Sequence, residues 1–172
     1  MSSILMFYST VDGQTLRICR RMKALAEQAG HEVILADIEN HDAFDAALYD
    51  SVVIGASIRY GRHRPTVALY LRTRRAVLAA RRCAFFTVNV VARKPGKDSA
   101  DTNPYMKKFL KQIGWRPPLL GVFAGRLDYP SLGFWDRNII RFIMLLTGGP
   151  TDPEGAFEFT DWSRVEEFAR SF

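Results

Sequence analysis

The stretch Ile4-Leu5-Met6-Phe7-Tyr8-Ser9-Thr10-Val11-Asp12-Gly13-Gln14-Thr15 decides how this chain folds. Five uncharged, largely apolar residues read as a buried strand, and a helical pattern starts at Thr15. Ile18, Cys19, Met22, Leu25, Ala26 and Ala29 mark one helix face, and Arg17, Arg20, Arg21, Glu27 and Gln28 the other; Gly30 ends the pattern. A strand that turns straight into a helix leaves the first helix amides without partners, at the positive end of the dipole. Ser9, Thr10 and Thr15 add hydroxyls, and Gly13 lets a ligand approach the backbone. The turn is therefore a candidate phosphate cradle that needs no lysine or arginine. The competing reading is that Thr15 or Asp12 merely caps the helix. Neither the G-x-G-x-x-G dinucleotide turn nor the G-x-x-x-x-G-K-S/T loop is present.

Similar apolar runs recur at 32–37, 51–57, 84–91 and 119–125, with helical patterns at 65–80, 104–113 and from Asp161 or Trp162 to Phe172. Residues 41–49 form too short a segment to assign. Strands apolar on both faces, alternating with helices, predict a parallel sheet covered on both sides. Five of them fit one α/β domain over residues 1–172, a doubly wound, flavodoxin-like sandwich with strand order 2-1-3-4-5. In that architecture ligands bind beyond the carboxyl ends of the strands, near the switch point. Three loops lie there: 9–15, 55–61 and 89–97.

A net charge of +6 suits an anionic partner without choosing one. The basic residues are dispersed rather than interleaved with aromatics, which argues against nucleic acid. Cys19 and Cys83 sit in apolar patterns, away from any C-x-x-C pair or ligand set, and read as buried free thiols in a reducing compartment. The amino terminus lacks the basic region of a signal peptide, and no stretch reaches the roughly 18 uncharged apolar residues of a spanning helix. The expectation is a cytoplasmic protein, at most peripheral on a membrane. No metal site is expected.

The "TVDGQT" turn resembles the FMN-phosphate loop of flavodoxins, with Asp12 where many flavodoxins carry a hydroxyl. A carboxylate cannot donate to phosphate, so Asp12 is expected to turn away and cap, leaving its amide to help. Together with "VVIGASIRYG" (52–61), "VNVVARKP" (88–95), "GWRP" (114–117) and "TDW" (160–162), the chain resembles the flavodoxin-like, quinone-dependent protoporphyrinogen IX dehydrogenases of bacterial haem biosynthesis along essentially its whole length. The resemblance implies an FMN-dependent oxidoreductase that passes six electrons from protoporphyrinogen IX to a membrane quinone, menaquinone or ubiquinone. It places the FMN phosphate among Ser9, Thr10, Asp12, Gly13, Gln14 and Thr15. One side of the flavin would meet Ala56, Ser57, Ile58, Arg59, Tyr60 and Gly61, with Tyr60 able to stack; the other would meet Asn89, Val90, Val91, Ala92 and Arg93. The substrate carries two propionates, which makes Arg59, Arg62, Arg93, Lys94 and Arg126 the candidate partners. His63 reads as a solvated loop histidine. Flavin N5 is the acceptor, so no side chain need be a nucleophile. An electron-transfer flavodoxin and an NAD(P)H:quinone reductase are the rival readings; the basic charge speaks against the first, and no nicotinamide motif supports the second.

Residues 126–155 exceed a minimal fold of this kind and form a long-chain-type insert, with "AFEFT" (156–160) expected to complete a split fifth strand. Within it "FWDRNIIRFIMLL" (134–146) predicts an apolar helix of about 20 Å, too short for a hydrocarbon core of about 30 Å. Phe134, Trp135, Ile139, Ile140, Phe142, Ile143 and Leu146 are the candidate membrane or quinone contacts, with Arg137 and Arg141 drawn to anionic lipid on the inner face of the bacterial membrane. The basic runs 72–75 and 80–82 would suit the same face. A second copy of the chain is the other surface such a helix could meet.

Overall fold

The computed structural model describes residues 1–172. Its element order is β1 (Ser3–Ser9), α1 (Gln14–Gln28), β2 (Glu32–Asp37), β3 (Ser51–Ser57), α2 (Pro65–Thr73), α3 (Arg75–Ala79), β4 (Arg82–Val88), α4 (Pro104–Ile113), β5 (Leu119–Phe123), β6 (Arg126–Asp128), α5 (Phe134–Leu146), β7 (Ala156–Glu158) and α6 (Trp162–Ala169). Strands β1 to β5 form one parallel sheet in the order 2-1-3-4-5. The uninterrupted apolar runs follow from this layering, because alternate residues of each strand serve opposite cores. Leu5, Phe7, Val52, Ile54, Phe85 and Val122 pack with residues of α2 and α4. Ile4, Met6, Val53, Ala84, Phe86 and Phe123 pack with residues of α1 and α6. Gly55 lies directly against the ring of Phe86, and any Cβ there would collide with it.

Three expectations are corrected. The helix read over 65–80 breaks at Arg74 into α2 and α3. The fourth strand stops at Val88 and gives way to a 3-10 turn, Val90–Arg93, because Asn89 accepts from the Ala92 amide at 3.0 Å and bends the chain. Residues 156–158 do not complete β5. They pair antiparallel with β6 in a separate two-stranded sheet, register Leu127 to Phe157, and β5 remains an edge strand bonded to β4 alone. That small sheet and α5 share a core of Leu127, Tyr129, Leu132 and Met144.

The same geometry separates the basic runs from the insert. Arg81 donates to the Ala47 carbonyl and Arg75 to that of Gly114, and Arg82 opens β4, all at the amino-terminal edge of the sheet. The insert covers the opposite edge. A parallel sheet of seven-residue strands is roughly 20 Å long, so residues 72–75 and 80–82 lie about that far from the edge that the insert covers. No helix is long and apolar enough to cross a membrane.

Candidate active site

β1 delivers the chain at Ser9, and Gly13, at φ 85°, caps α1 without any side-chain hydrogen bond. Thr10 Oγ1 accepts from the Gly13 amide at 3.0 Å and closes the turn. Beneath it Ser9 Oγ and Thr15 Oγ1 are sealed from water and have no hydrogen-bond partner. A buried unpartnered hydroxyl costs about 1–3 kcal/mol, and here two of them adjoin the open amides of a helix terminus. Such a group of donors fits a phosphate dianion. The capping readings fail: Thr15 caps nothing, and Asp12 points away from the turn to Arg59 at 3.1 Å. The Gln14 side chain is also engaged elsewhere, donating to Glu158 Oε1 at 2.7 Å and Thr160 Oγ1 at 2.8 Å, which leaves its backbone for the turn.

The second loop starts where Ile58 donates to the Val88 carbonyl. Arg59 and Arg62 then exchange backbone hydrogen bonds across Tyr60 and Gly61, at φ 50° and 74°. Positive φ at both central positions defines a tight turn that glycine accepts and tyrosine resists. What holds Tyr60 there is its hydroxyl, which donates to Asp136 Oδ1 at 2.8 Å, with the Arg59 guanidinium 5.3 Å from its ring centroid. Arg59 joins Asp12 of the first loop to Asp136 of α5. Burial opposes its charge, but Asp12, Tyr60 and Asp136 outweigh that and hold its pKa above the ordinary arginine value. Arg59 is thus a structural clasp rather than a free anion receptor. Arg62 stands exposed outside the cleft wall, and Ala56 is buried in the core beneath the loop. Ser57 Oγ donates to the Ser9 carbonyl at 3.4 Å, tying the two loops together.

In the third loop Asn89 and Asn103 face each other, buried, and Asn103 also caps α4 through the Tyr105 and Met106 amides. This pair fixes Val90 and Val91 on the cleft wall and turns Ala92 into the core. Arg93 reaches α5, donating to Thr147 Oγ1 at 2.9 Å. His63 is not solvated: it is buried against Phe85 and Phe109, bonded to Thr87 Oγ1 at 2.9 Å, and burial pushes its pKa down to about 3.

The insert covers these loops. Ile139, Ile140, Ile143 and Met144 of α5 face Ile58, Val90 and Val91 across a cleft of about 570 Å³. Phe134, Trp135, Phe142 and Leu146, with Leu145 beside them, point outward and stay exposed. The contacts expected of this helix therefore divide between its two faces. Arg137 donates to the Leu132 carbonyl and Arg141 to that of Thr151.

A flavodoxin-domain family model matches residues 5–154. Protoporphyrinogen IX dehydrogenase (quinone) of Leishmania major is 43% identical over 98% of this chain and 73% of its own length. The Escherichia coli K12 protein of that name is 39% identical over 96% of this chain and 92% of its own length. The chain belongs to this dehydrogenase family. A short-chain flavodoxin associated with a bacterial microcompartment superposes over 99% of this chain and 95% of its own, with a TM-score of 0.56 at 12% identity, which shows the shared fold.

For a member of the dehydrogenase family, several residues that shape the cleft carried no local signal. Asp136 was one charge on an apolar helix, and Asn103 was not singled out. Thr147 lay in a stretch without a motif, and Glu158 and Thr160 fell within "AFEFT" and "TDW", which did not tie them to the first loop. Arg17 and Arg20 read as the solvated face of α1, yet both reach the cleft wall. The two cysteines are buried and free, as read, with the Cys83 thiol pushed up to about 12 by burial.

Proposed function

We propose that the chain binds FMN in this cleft, oxidises protoporphyrinogen IX to protoporphyrin IX, and passes the electrons to menaquinone or ubiquinone while peripheral on the cytoplasmic face of a membrane. The observation that carries the reading is the pair of buried, unpartnered hydroxyls, Ser9 Oγ and Thr15 Oγ1, under the Gly13 turn. Bound there, FMN supplies a two-electron acceptor within reach of the cleft. Ser9, Thr10, Thr15 and the amides of Gln14 and Thr15 would hold the phosphate. Ile58, Val90 and Val91 would flank the flavin ring, and Ile139, Ile140 and Ile143 across the cleft would seat the apolar macrocycle and exclude water. His63, neutral and walled off by Phe85 and Phe109, moves no proton in this scheme. In sum the porphyrinogen loses six electrons and six protons, and three quinones become three hydroquinones. The outward face of α5 meets the bilayer and brings the cleft to the quinone.

The test is anaerobic: FMN-reconstituted protein, protoporphyrinogen IX, a soluble quinone analogue, and porphyrin fluorescence against a protein-free control. FMN-dependent porphyrin formation is the expected result. A flavin that binds and cycles with chemical reductant but yields no porphyrin would replace this reading with that of an electron carrier.

A further inference from the structure

Six cations reach the cleft wall: Arg17, Arg20, Arg59, Arg93, Lys94 and Arg126. Three are neutralised by carboxylates, Arg17 by Glu158 at 3.0 Å, Arg59 by Asp12 and Asp136, and Arg126 by Asp128 at 3.1 Å. Arg20 has no such partner, but it stands exposed on α1 where the surface opens into a shallow notch beside Arg21 and Trp162, and water screens it. Arg93 and Lys94 remain. Both are half-buried, adjacent in the turn after β4, and neither has a carboxylate within ion-pair distance.

Arg93 is nevertheless held in place. Nη1 donates to the Val90 carbonyl at 3.3 Å, Nη2 to Thr147 Oγ1 at 2.9 Å, and the guanidinium lies 6.0 Å from the Phe159 ring centroid. These acceptors orient the fork without neutralising it. A half-buried cation with only neutral partners keeps its field, and a fixed guanidinium gives up little freedom on meeting a carboxylate.

Position along α5 adds direction. Thr147, at the Arg93 end, follows the last helical residue; Ile143, then Ile140 and Ile139, line the wall turn by turn towards Asp136. The cleft is therefore cationic and uncompensated at one end and apolar along its length. Protoporphyrinogen IX has the same asymmetry, with both propionates on neighbouring pyrroles and its vinyl edge apolar.

We propose that Arg93 and Lys94 form the carboxylate subsite of this cleft and orient the macrocycle, propionate edge at the turn after β4 and apolar edge along Ile143, Ile140 and Ile139. This rests on the porphyrinogen reading above. It narrows the candidate cations from five to two: Arg59 and Arg126 already have carboxylates, and Arg62 lies off the wall. Thr147 is the C-cap of α5, so the competing role for Arg93 is that of a staple for that helix end.

The experiment compares protoporphyrin IX with its dimethyl ester, bound to the FMN-loaded protein and followed by fluorescence, and measures kcat/KM for the two corresponding porphyrinogens. Charge-assisted hydrogen bonds to a carboxylate are worth enough to favour the diacid about 10- to 100-fold in the unaltered protein. In the double variant Arg93→Gln/Lys94→Gln the diacid should fall to the level of the ester, with the ester changing far less than the diacid. Lys94→Gln alone leaves the Arg93 contacts to α5 intact and should lose about 3- to 10-fold on the diacid only; Arg93→Lys should recover part of the preference. Equal loss of acid and ester would show a staple and overturn the proposal, as would an unaltered protein that does not distinguish them. Preferential binding of the diacid without any porphyrinogen oxidation would uphold the subsite and overturn the function.

Discussion

Around Ser9 and Thr15 the hydroxyl oxygens are sealed from water and bonded to nothing, whereas on α5 Trp135, Phe142, Leu145 and Leu146 stand in water with nothing over them. One region holds polar atoms where apolar ones would be more stable, and the other holds apolar atoms where polar ones would be. Burying an unpartnered hydroxyl costs about 1–3 kcal/mol; leaving a large apolar side chain exposed forfeits about 1.5–3 kcal/mol. Folding alone selects neither. Under the proposed function the hydroxyls receive a hydrogen-bonding anion and the helix face an apolar phase. Both lie at the carboxyl edge of the sheet, and the Asp12–Arg59–Asp136 clasp joins them.

The largest effect should come from the outward face. Replacing Trp135, Phe142, Leu145 and Leu146 together by Gln keeps helix propensity and removes four anchors, so cosedimentation with anionic vesicles should fall more than about 100-fold. The melting temperature should stay nearly constant, because each side chain is at least 61% exposed. Undiminished vesicle binding would break the contrast.

His63 offers a buried polar group whose partner is present, and it sharpens the comparison through pH. Its folded pKa is about 3, below the unfolded value near 6.5, so the unfolded chain binds the extra proton between those limits. Stability should be complete above about pH 6.5 and drain away as pH falls, by an amount on the order of 3 kcal/mol at pH 4. Denaturant melts of His63→Gln, which cannot titrate, should show a flatter curve across that window; parallel curves would mean that another group governs acid unfolding.

Thr15→Val should weaken FMN about 10- to 100-fold in a fluorescence-quench titration, since it removes one charge-assisted hydrogen bond. The same change should raise the melting temperature of the flavin-free chain by a few degrees, because it deletes an unpartnered hydroxyl. A flavin-free chain that is destabilised instead would mean that Thr15 already has a partner. The smallest effect belongs to the clasp: Asp136→Asn weakens its pairing with Arg59 and Tyr60 at a partly exposed site, worth about 1 kcal/mol, and should speed amide exchange in the first turn of α5.

Much of this was legible locally. Uninterrupted apolar strands between amphipathic helices are what a doubly covered parallel sheet requires, and the strand–turn–helix at residues 4–15 carries its own amide donors. The burial of His63 was not legible, because a short polar sequence says nothing of the Phe85 and Phe109 rings that close over it from distant strands and helices. Nor was the pairing of 156–158, where three residues suited an edge of β5 and of β6 alike.

The sequence by itself determined the parallel strands, the helices between them and the phosphate-shaped turn, because periodicity and helix-terminus amides act over a few residues; the strand order came with the resemblance. Only the tertiary structure decided which cations are free. Arg59 and Asp136 are 77 residues apart in the chain, and Arg17 and Glu158 are 141 apart. A charge seeks its partner through space, and nothing in the local pattern of an arginine records which carboxylate the fold will bring to it.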